Sequence, residues 1–277
     1  MRLATLRLPG RTVAARIEGD LAVELDAADV GELLARPGWR ELAAAGGGAS
    51  HPLSGAGYAP VVPRPGKILC VGLNYRTHIL EMGRELPRHP TIFAKFPEAL
   101  VGPYDDIVLP AVSSEMDWEA ELAVVIGDTV RHASPERARA AIAGYSVLND
   151  VTARDYQYRT VQWLQGKTFE ATTPFGPVLV TPDELAGDPW PSCEISCEVD
   201  GETVQRAGTA DLVFGPAELV SYLSEILTLR PGDVIATGTP GGVGHARDPK
   251  RYLAGGSRLV TRIAGIGELA NTARRDG

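Results

Sequence analysis

The stretch Asp117-Trp118-Glu119-Ala120-Glu121-Leu122-Ala123-Val124-Val125-Ile126-Gly127 limits what this chain can fold into. It reads as a buried strand ending at a glycine, yet it carries two carboxylates. Side chains two apart on a strand share a face, so Glu119 and Glu121 project together while Ala120 and Leu122 face the other way. A third acid, Asp150, closes a second apolar run, Tyr145-Ser146-Val147-Leu148-Asn149-Asp150. Carboxylates among core strands are costly to bury unless positive groups compensate them. Three converging oxygen donors suit a hard divalent cation with positions left for water and substrate. An acidic strand edge facing solvent is the competing reading of Glu-X-Glu alone.

The chain has 277 residues and a net charge of −8, with 44% hydrophobic content. Its length permits a sizeable core. The negative balance without a basic run argues against nucleic acid and against an anionic membrane surface. No apolar stretch approaches a membrane span, and Met1–Leu6 lacks a signal-peptide core, so a cytoplasmic location is expected. Cys70, Cys193 and Cys197 read as reduced thiols, since no disulfide framework or zinc spacing is present.

Residues 1–62 read as a small N-terminal β-rich domain. Strands are expected over Met1–Leu8, Thr12–Ile17 and Leu21–Leu25, with short helices over Val30–Ala35 and Trp39–Ala45. Gly46–Pro65, rich in Gly, Pro, Ser and Ala, reads as a linker. Residues 66–277 form the second unit, where short strands alternate with long connections. The clearest are Lys67–Gly72, Ile107–Leu109, Glu121–Ile126, Gly144–Asp150, Gly176–Val180, Glu194–Val199 and Asp233–Thr237. Pro216–Leu227 is the best helix, with one apolar face and Arg230-Pro231-Gly232 as its stop. A second helix is expected from Ser134-Pro135 through about Ala143. This is not the regular alternation of a doubly wound sheet, and an α+β fold with a curved, mixed sheet is expected.

Further motifs carry candidate chemistry. His78 and Glu81 are three apart after a buried strand, which on a helix places them on one face as a water-activating pair. Glu81–Pro90 holds few apolar anchors and reads as a lid. Lys167 lies in a Gly/Pro-punctuated apolar segment suited to binding an anion. Gly238-Thr239-Pro240-Gly241-Gly242-Val243-Gly244 lacks the ending of a phosphate loop and better suits backbone amides approaching a carboxylate.

In order along the chain stand Gly72-Leu73-Asn74-Tyr75 with His78 and Glu81, Asp117-Trp118-Glu119-Ala120-Glu121-Leu122, Asn149-Asp150-Val151-Thr152-Ala153-Arg154-Asp155, Gly166-Lys167-Thr168-Phe169, and Pro231–Pro240. Together they resemble the fumarylacetoacetate hydrolase family over about residues 66–270, in its shorter bacterial type. The resemblance implies a curved mixed β-sheet roll, a homodimer, and a Mg²⁺ or Mn²⁺ site of Glu119, Glu121 and Asp150. It implies His78 and Glu81 as a lid dyad and Lys167 as the active-site lysine, with Lys95, Gln157 and Thr239 as candidate substrate contacts. Many relatives carry Lys-Ser-Phe-Asp where this chain has Lys167-Thr168-Phe169-Glu170, and Ala171-Thr172-Thr173 replaces a bulkier segment, which leaves the acyl group open. The implied substrate is a small 2-oxo acid. The implied activity is hydrolysis of a C–C bond in an acylpyruvate through a metal-stabilised pyruvate enolate, as in aromatic catabolism. Oxaloacetate decarboxylation and isomerisation of 2-hydroxyhepta-2,4-diene-1,7-dioate are the alternatives. A non-catalytic binding protein is a remote one, since no essential polar position is missing.

Overall fold

The computed structural model describes residues 1–187 and 190–276. Gly277, the expected bound of the second unit, lies outside the described residues. The alternation of the acidic strand decides the architecture. Ala120–Ile126 is buried along its whole length, and its alternate residues enter two different cores. Ala120, Leu122, Val124 and Ile126 belong to one, and Ala123 and Val125 to the other. A strand with apolar groups on both faces must lie inside a sheet covered on both sides. Its neighbour Ile142–Asn149 is also buried throughout.

That sheet has twelve strands among the described residues. The main path runs Ser50–Pro52, Leu21–Glu24, Arg11–Glu18, Arg2–Leu8, Thr173–Val180, Ile142–Asn149, Ala120–Ile126, Val234–Ala236, Ile68–Gly72 and Thr91–Lys95. Most pairs are antiparallel, but Val234–Ala236 runs parallel to Ile68–Gly72. A five-stranded sheet of Glu202–Gly208, Glu194–Val199, Arg258–Ile263, Gly267–Arg275 and Ile107–Leu109 covers one face. It shares a core with the helix Pro216–Ile226 through Ile195, Leu259, Leu219 and Leu223. Mixed sheets with few helices are the α+β arrangement expected from the sequence.

The other face is covered by the N-terminal helices Val30–Leu34 and Trp39–Ala45, whose Val30, Leu33, Leu34 and Trp39 pack with Ile68, Cys70 and Val125. The first strand hydrogen-bonds to Thr173–Val180, with Arg2 opposite Val180. The stretch expected as a linker contains Ser50–Pro52 and Gly57–Tyr58 as strands, and Val61 and Val62 are buried. Its Gly and Pro residues are turn formers between short extended pieces that find partners in the sheet. The helix expected through Ala143 spans only Pro135–Ala140, because Ile142 already begins a core strand. Among the described residues no helix is long and apolar enough to cross a membrane.

Strand direction gathers the site. Ile68–Gly72 and Val234–Ala236 end, and Ala120–Ile126 begins, at the same edge, with Cys70 opposite Ala236 and Ala236 opposite Ala123. Ile142–Asn149 finishes there too, with Asn149 opposite Ala120. Four connections thus meet at one sheet edge: the segment after Gly72, the glycine-rich loop after Ala236, the approach through Glu119, and the turn at Asp150.

Candidate active site and metal centre

Glu119, Glu121 and Asp150 offer carboxylate oxygens that all lie within 4.8 Å of one another, and all three residues are buried. Glu119 and Glu121 flank the first strand residue, Ala120, so the shared face expected from their spacing is realised. Asp150 is brought beside them by the bond that its backbone N–H donates to the Glu119 carbonyl (2.8 Å). The donor set is oxygen only, which fits a hard divalent cation such as Mg²⁺ or Mn²⁺.

The compensating charge is built into the same shell. Lys167 Nζ donates to Glu119 Oε2 (2.6 Å) and Asp150 Oδ2 (2.8 Å). It also stands 4.9 Å over the Phe93 ring. Lys95 Nζ donates to Asp150 Oδ1 (2.6 Å) and to the Val151 carbonyl (3.2 Å). Arg154 donates to Asp117 Oδ2 (2.8 Å) and Gln157 Oε1 (2.9 Å) and pairs with Glu119 Oε1 (2.7 Å). Asp117, Glu119, Glu121 and Asp150 therefore face three buried cations, Lys95, Arg154 and Lys167. One negative charge is left over if all are ionised.

The electrostatics fall on Glu121. Burial, then the charges of Asp150 and Glu119, push its carboxyl well above the usual range, against Lys167 and the Gly238 amide. Burial alone would also raise Asp150, but Lys167 and Lys95 hold it below its ordinary value. Burial would lower Lys167, yet Asp150 and Glu119 raise it, so its ammonium is secure. A cation must displace any proton on its ligands. Mn²⁺ affinity should therefore rise with pH as Glu121 ionises, with proton release on binding. Titration calorimetry at several pH values, in buffers of different ionisation enthalpy, checks this. Flat affinity and equal enthalpies in all buffers would contradict it.

Glu119 and Glu121 of the triad open on a cavity of about 390 Å³ lined also by Lys167, Arg154, His78 and His245, while Asp150 stands behind its wall. Gln157 and Thr239, expected as substrate contacts, also line it. Lys95 is not among the lining residues, and its ammonium is engaged by Asp150 and Val151. The Thr239 hydroxyl is committed as well, donating to the Ala120 carbonyl (2.9 Å) and accepting from Gln205 Nε2 (2.8 Å).

The glycine-rich loop does bring backbone amides to carboxylates, and the carboxylates are the protein's own. Gly238 N–H donates to Glu121 Oε2 (2.8 Å). Gly244 and His245 N–H donate to the two Asp117 oxygens (2.6 and 3.0 Å). Gly238 has φ of +101°, and a Cβ there would stand 2.9 Å from the Val71 carbonyl oxygen, so only glycine fits.

His78 and Glu81 lie on the helix Arg76–Glu81, as their spacing implies. His78 lines the cavity, while Glu81 is exposed. Among the described residues no ion pair joins them. Burial lowers the His78 imidazole below its usual value, against the pull of Glu81 and Glu119. The segment after the helix, through His89, is exposed for most of its length and is anchored by the His89–Tyr222 ring contact. Sequence reasoning gave no role to Asp117, Arg154 or His245. The first two stand inside motifs it quoted, and a buried acid and arginine within such motifs were the available signal.

The family model described as fumarylacetoacetate hydrolase C-terminal matches residues 67–274. The chain belongs to the fumarylacetoacetate hydrolase family. The mitochondrial oxaloacetate tautomerase Fahd2a of Rattus norvegicus is 45% identical over 79% of this chain and 70% of its own length. Among solved structures of the family, the 2-hydroxyhepta-2,4-diene-1,7-dioate isomerase from Mycobacterium marinum superposes with a TM-score of 0.82. It is 33% identical and is covered to 99%, against 100% of this chain. The maleylpyruvate hydrolase from Sphingobium sp. SYK-6, solved with manganese(II) and pyruvate, superposes at 0.81 with 30% identity over the whole of both chains.

Proposed function

We propose that this fumarylacetoacetate hydrolase family member is a divalent-metal-dependent enzyme that moves a proton at C3 of an oxaloacetate-class 2-oxo acid. Its reaction is keto–enol tautomerisation; decarboxylation would instead break C3–C4 of the keto form and give the pyruvate enolate, with the same C2 carbonyl as electron sink. The observation that carries the choice is the state of His78. Its imidazole lines the cavity with Glu119 and Glu121 and is kept neutral by burial, with no carboxylate bonded to it among the described residues. A neutral imidazole suits proton transfer that involves no activated water. Hydrolysis of an acylpyruvate, the main expectation from the sequence, needs in addition a water activated by His78 and Glu81, which no hydrogen bond or ion pair joins among the described residues. The tautomerase and isomerase relatives lend more support to the alternative expectation.

A Mg²⁺ or Mn²⁺ ion held by Glu119, Glu121 and Asp150 would supply Lewis acidity toward the 2-oxo group and so lower the cost of enolate formation. The chain's own residues do the rest. Two charges added to a shell with one excess negative charge leave it positive, which favours an anionic substrate. Arg154 and Lys167 fix the ligand oxygens in place through bonded ion pairs. Val71, Phe93, Trp163 and Val243 line the cavity and limit bulk water around the reacting carbon.

Hydrolysis is kept as a second reading because the maleylpyruvate hydrolase structure, with manganese and pyruvate, shares the fold along the whole chain. Turnover of acylpyruvates, fumarylpyruvate, oxaloacetate and 2-oxo-hept-3-ene-dioate, each with Mg²⁺ or Mn²⁺, separates the two. Oxaloacetate should be the best substrate. Efficient cleavage of an acylpyruvate, with oxaloacetate untouched, would overturn the tautomerase reading in favour of the second.

A further inference from the structure

A second imidazole faces the same cavity. His245 lies in the short 3-10 turn Gly244–Ala246 and lines the cavity wall. Its backbone is fixed by the N–H bond to Asp117 Oδ2, and its ring packs against Tyr158 with centroids 5.2 Å apart. His245 Nδ1 is 2.9 Å from the Tyr252 hydroxyl, and that hydroxyl donates to Glu115 Oε2 (3.1 Å).

This chain of bonds decides the tautomer. The Tyr252 hydroxyl has one proton, which goes to Glu115, so its oxygen must accept from His245. Nδ1 then carries the ring proton, and Nε2 keeps a lone pair. No hydrogen bond to Nε2 occurs among the described residues. A histidine whose Nδ1–H is oriented by an acceptor backed by a carboxylate is built as a base at Nε2. We propose that His245, oriented by Tyr252 and Glu115, is a proton-transfer residue of this site that takes the C3 proton of the 2-oxo acid on Nε2.

The inference rests on the 2-oxo acid reading above. In the step, the C3–H bond breaks and its proton goes to Nε2. The released electron pair forms the C2–C3 double bond, and the carbonyl π pair moves to the C2 oxygen, which takes a proton from water; the imidazolium proton returns to that hydroxide, so the net change is one proton from C3 to the C2 oxygen. The reverse step returns the imidazolium proton to C3. Burial, Lys250 and Arg154 lower the His245 imidazole below its usual value, while Asp117 and Glu115 pull it up, so the base is free near neutrality. Burial and the bond to Glu115 push Tyr252 up to about 12, so it keeps its proton.

Pyruvate in D₂O with Mg²⁺ is the probe, with loss of its methyl proton signal followed by NMR. The parent should exchange faster than buffer. His245→Gln should lose roughly 10²–10⁴-fold in exchange rate, while Mn²⁺ affinity stays at the parent value. Added imidazole should restore part of the rate to His245→Gly. Tyr252→Phe removes the acceptor that stabilises the imidazolium, so the acid limb of its pH profile should move to lower pH. A His245→Gln variant that exchanges at the parent rate would overturn the inference alone. A Tyr252→Phe profile identical to the parent's would overturn the orienting role. A parent that exchanges no faster than buffer would overturn the 2-oxo acid reading and the inference with it.

Discussion

Asp150→Ala should abolish turnover and most of the metal affinity. Asp150 is wholly buried, completes the carboxylate triad and holds two lysines. Changes to groups that merely orient a ligand cost roughly 10–100-fold in affinity or activity, so loss of a ligand should exceed that range. Among the described residues the substitution also leaves Lys95 with the Val151 carbonyl, and Lys167 with Glu119 and the Phe93 ring. Asp150→Asn is the better-folded companion, since the amide oxygen can still accept from a lysine while one negative charge is gone. Both variants should bind Mn²⁺ far more weakly than the parent in titration calorimetry. Parent-like Mn²⁺ affinity in either one would show that the triad is not the metal site.

Lys167→Met should destabilise the protein in a way that a cation partly reverses. The ammonium bridges Glu119 and Asp150 within the core, and its removal leaves two carboxylates short of a partner. Breaking a buried pair by deleting one member costs about 3–5 kcal/mol. A divalent ion at the same oxygens would supply the missing positive charge. The thermal midpoint should therefore fall strongly in chelator and recover in part with saturating Mn²⁺, while activity stays low because Lys167 also faces the cavity. An equal deficit with and without Mn²⁺ would mean that the lysine packs rather than compensates.

These effects follow from residues that differ in how legible they were. Glu119 and Glu121 announce themselves, because a two-residue spacing inside an apolar strand fixes a common face. Apolar runs such as Glu194–Val199 and Ile107–Leu109 mark their own strands to the residue. Thr91–Lys95 and Gly267–Arg275 are harder to read, since most of their residues are only partly buried or exposed and the hydrophobic alternation is weak. The partners of the triad are harder still. Lys95 lies opposite Ile68, at the other end of that strand from Gly72, and three strands separate its own from Ile142–Asn149, yet its ammonium meets Asp150. No local pattern encodes that register. His245, Tyr252 and Glu115 lie in irregular segments, where neither a helical nor a strand period points to a meeting of side chains. For the glycine-rich loop, composition forecast amides near a carboxylate but not that Glu121 and Asp117 would be the acceptors.

The conversion of enol-oxaloacetate to its keto form, followed by ultraviolet absorbance with and without Mn²⁺, tests the account most directly. The parent with Mn²⁺ should accelerate the conversion well beyond buffer containing the same ion, and the acceleration should vanish with chelator and in Asp150→Ala. Conversion at the buffer rate by metal-loaded parent, under conditions where Mn²⁺ binding is confirmed by calorimetry, would contradict it.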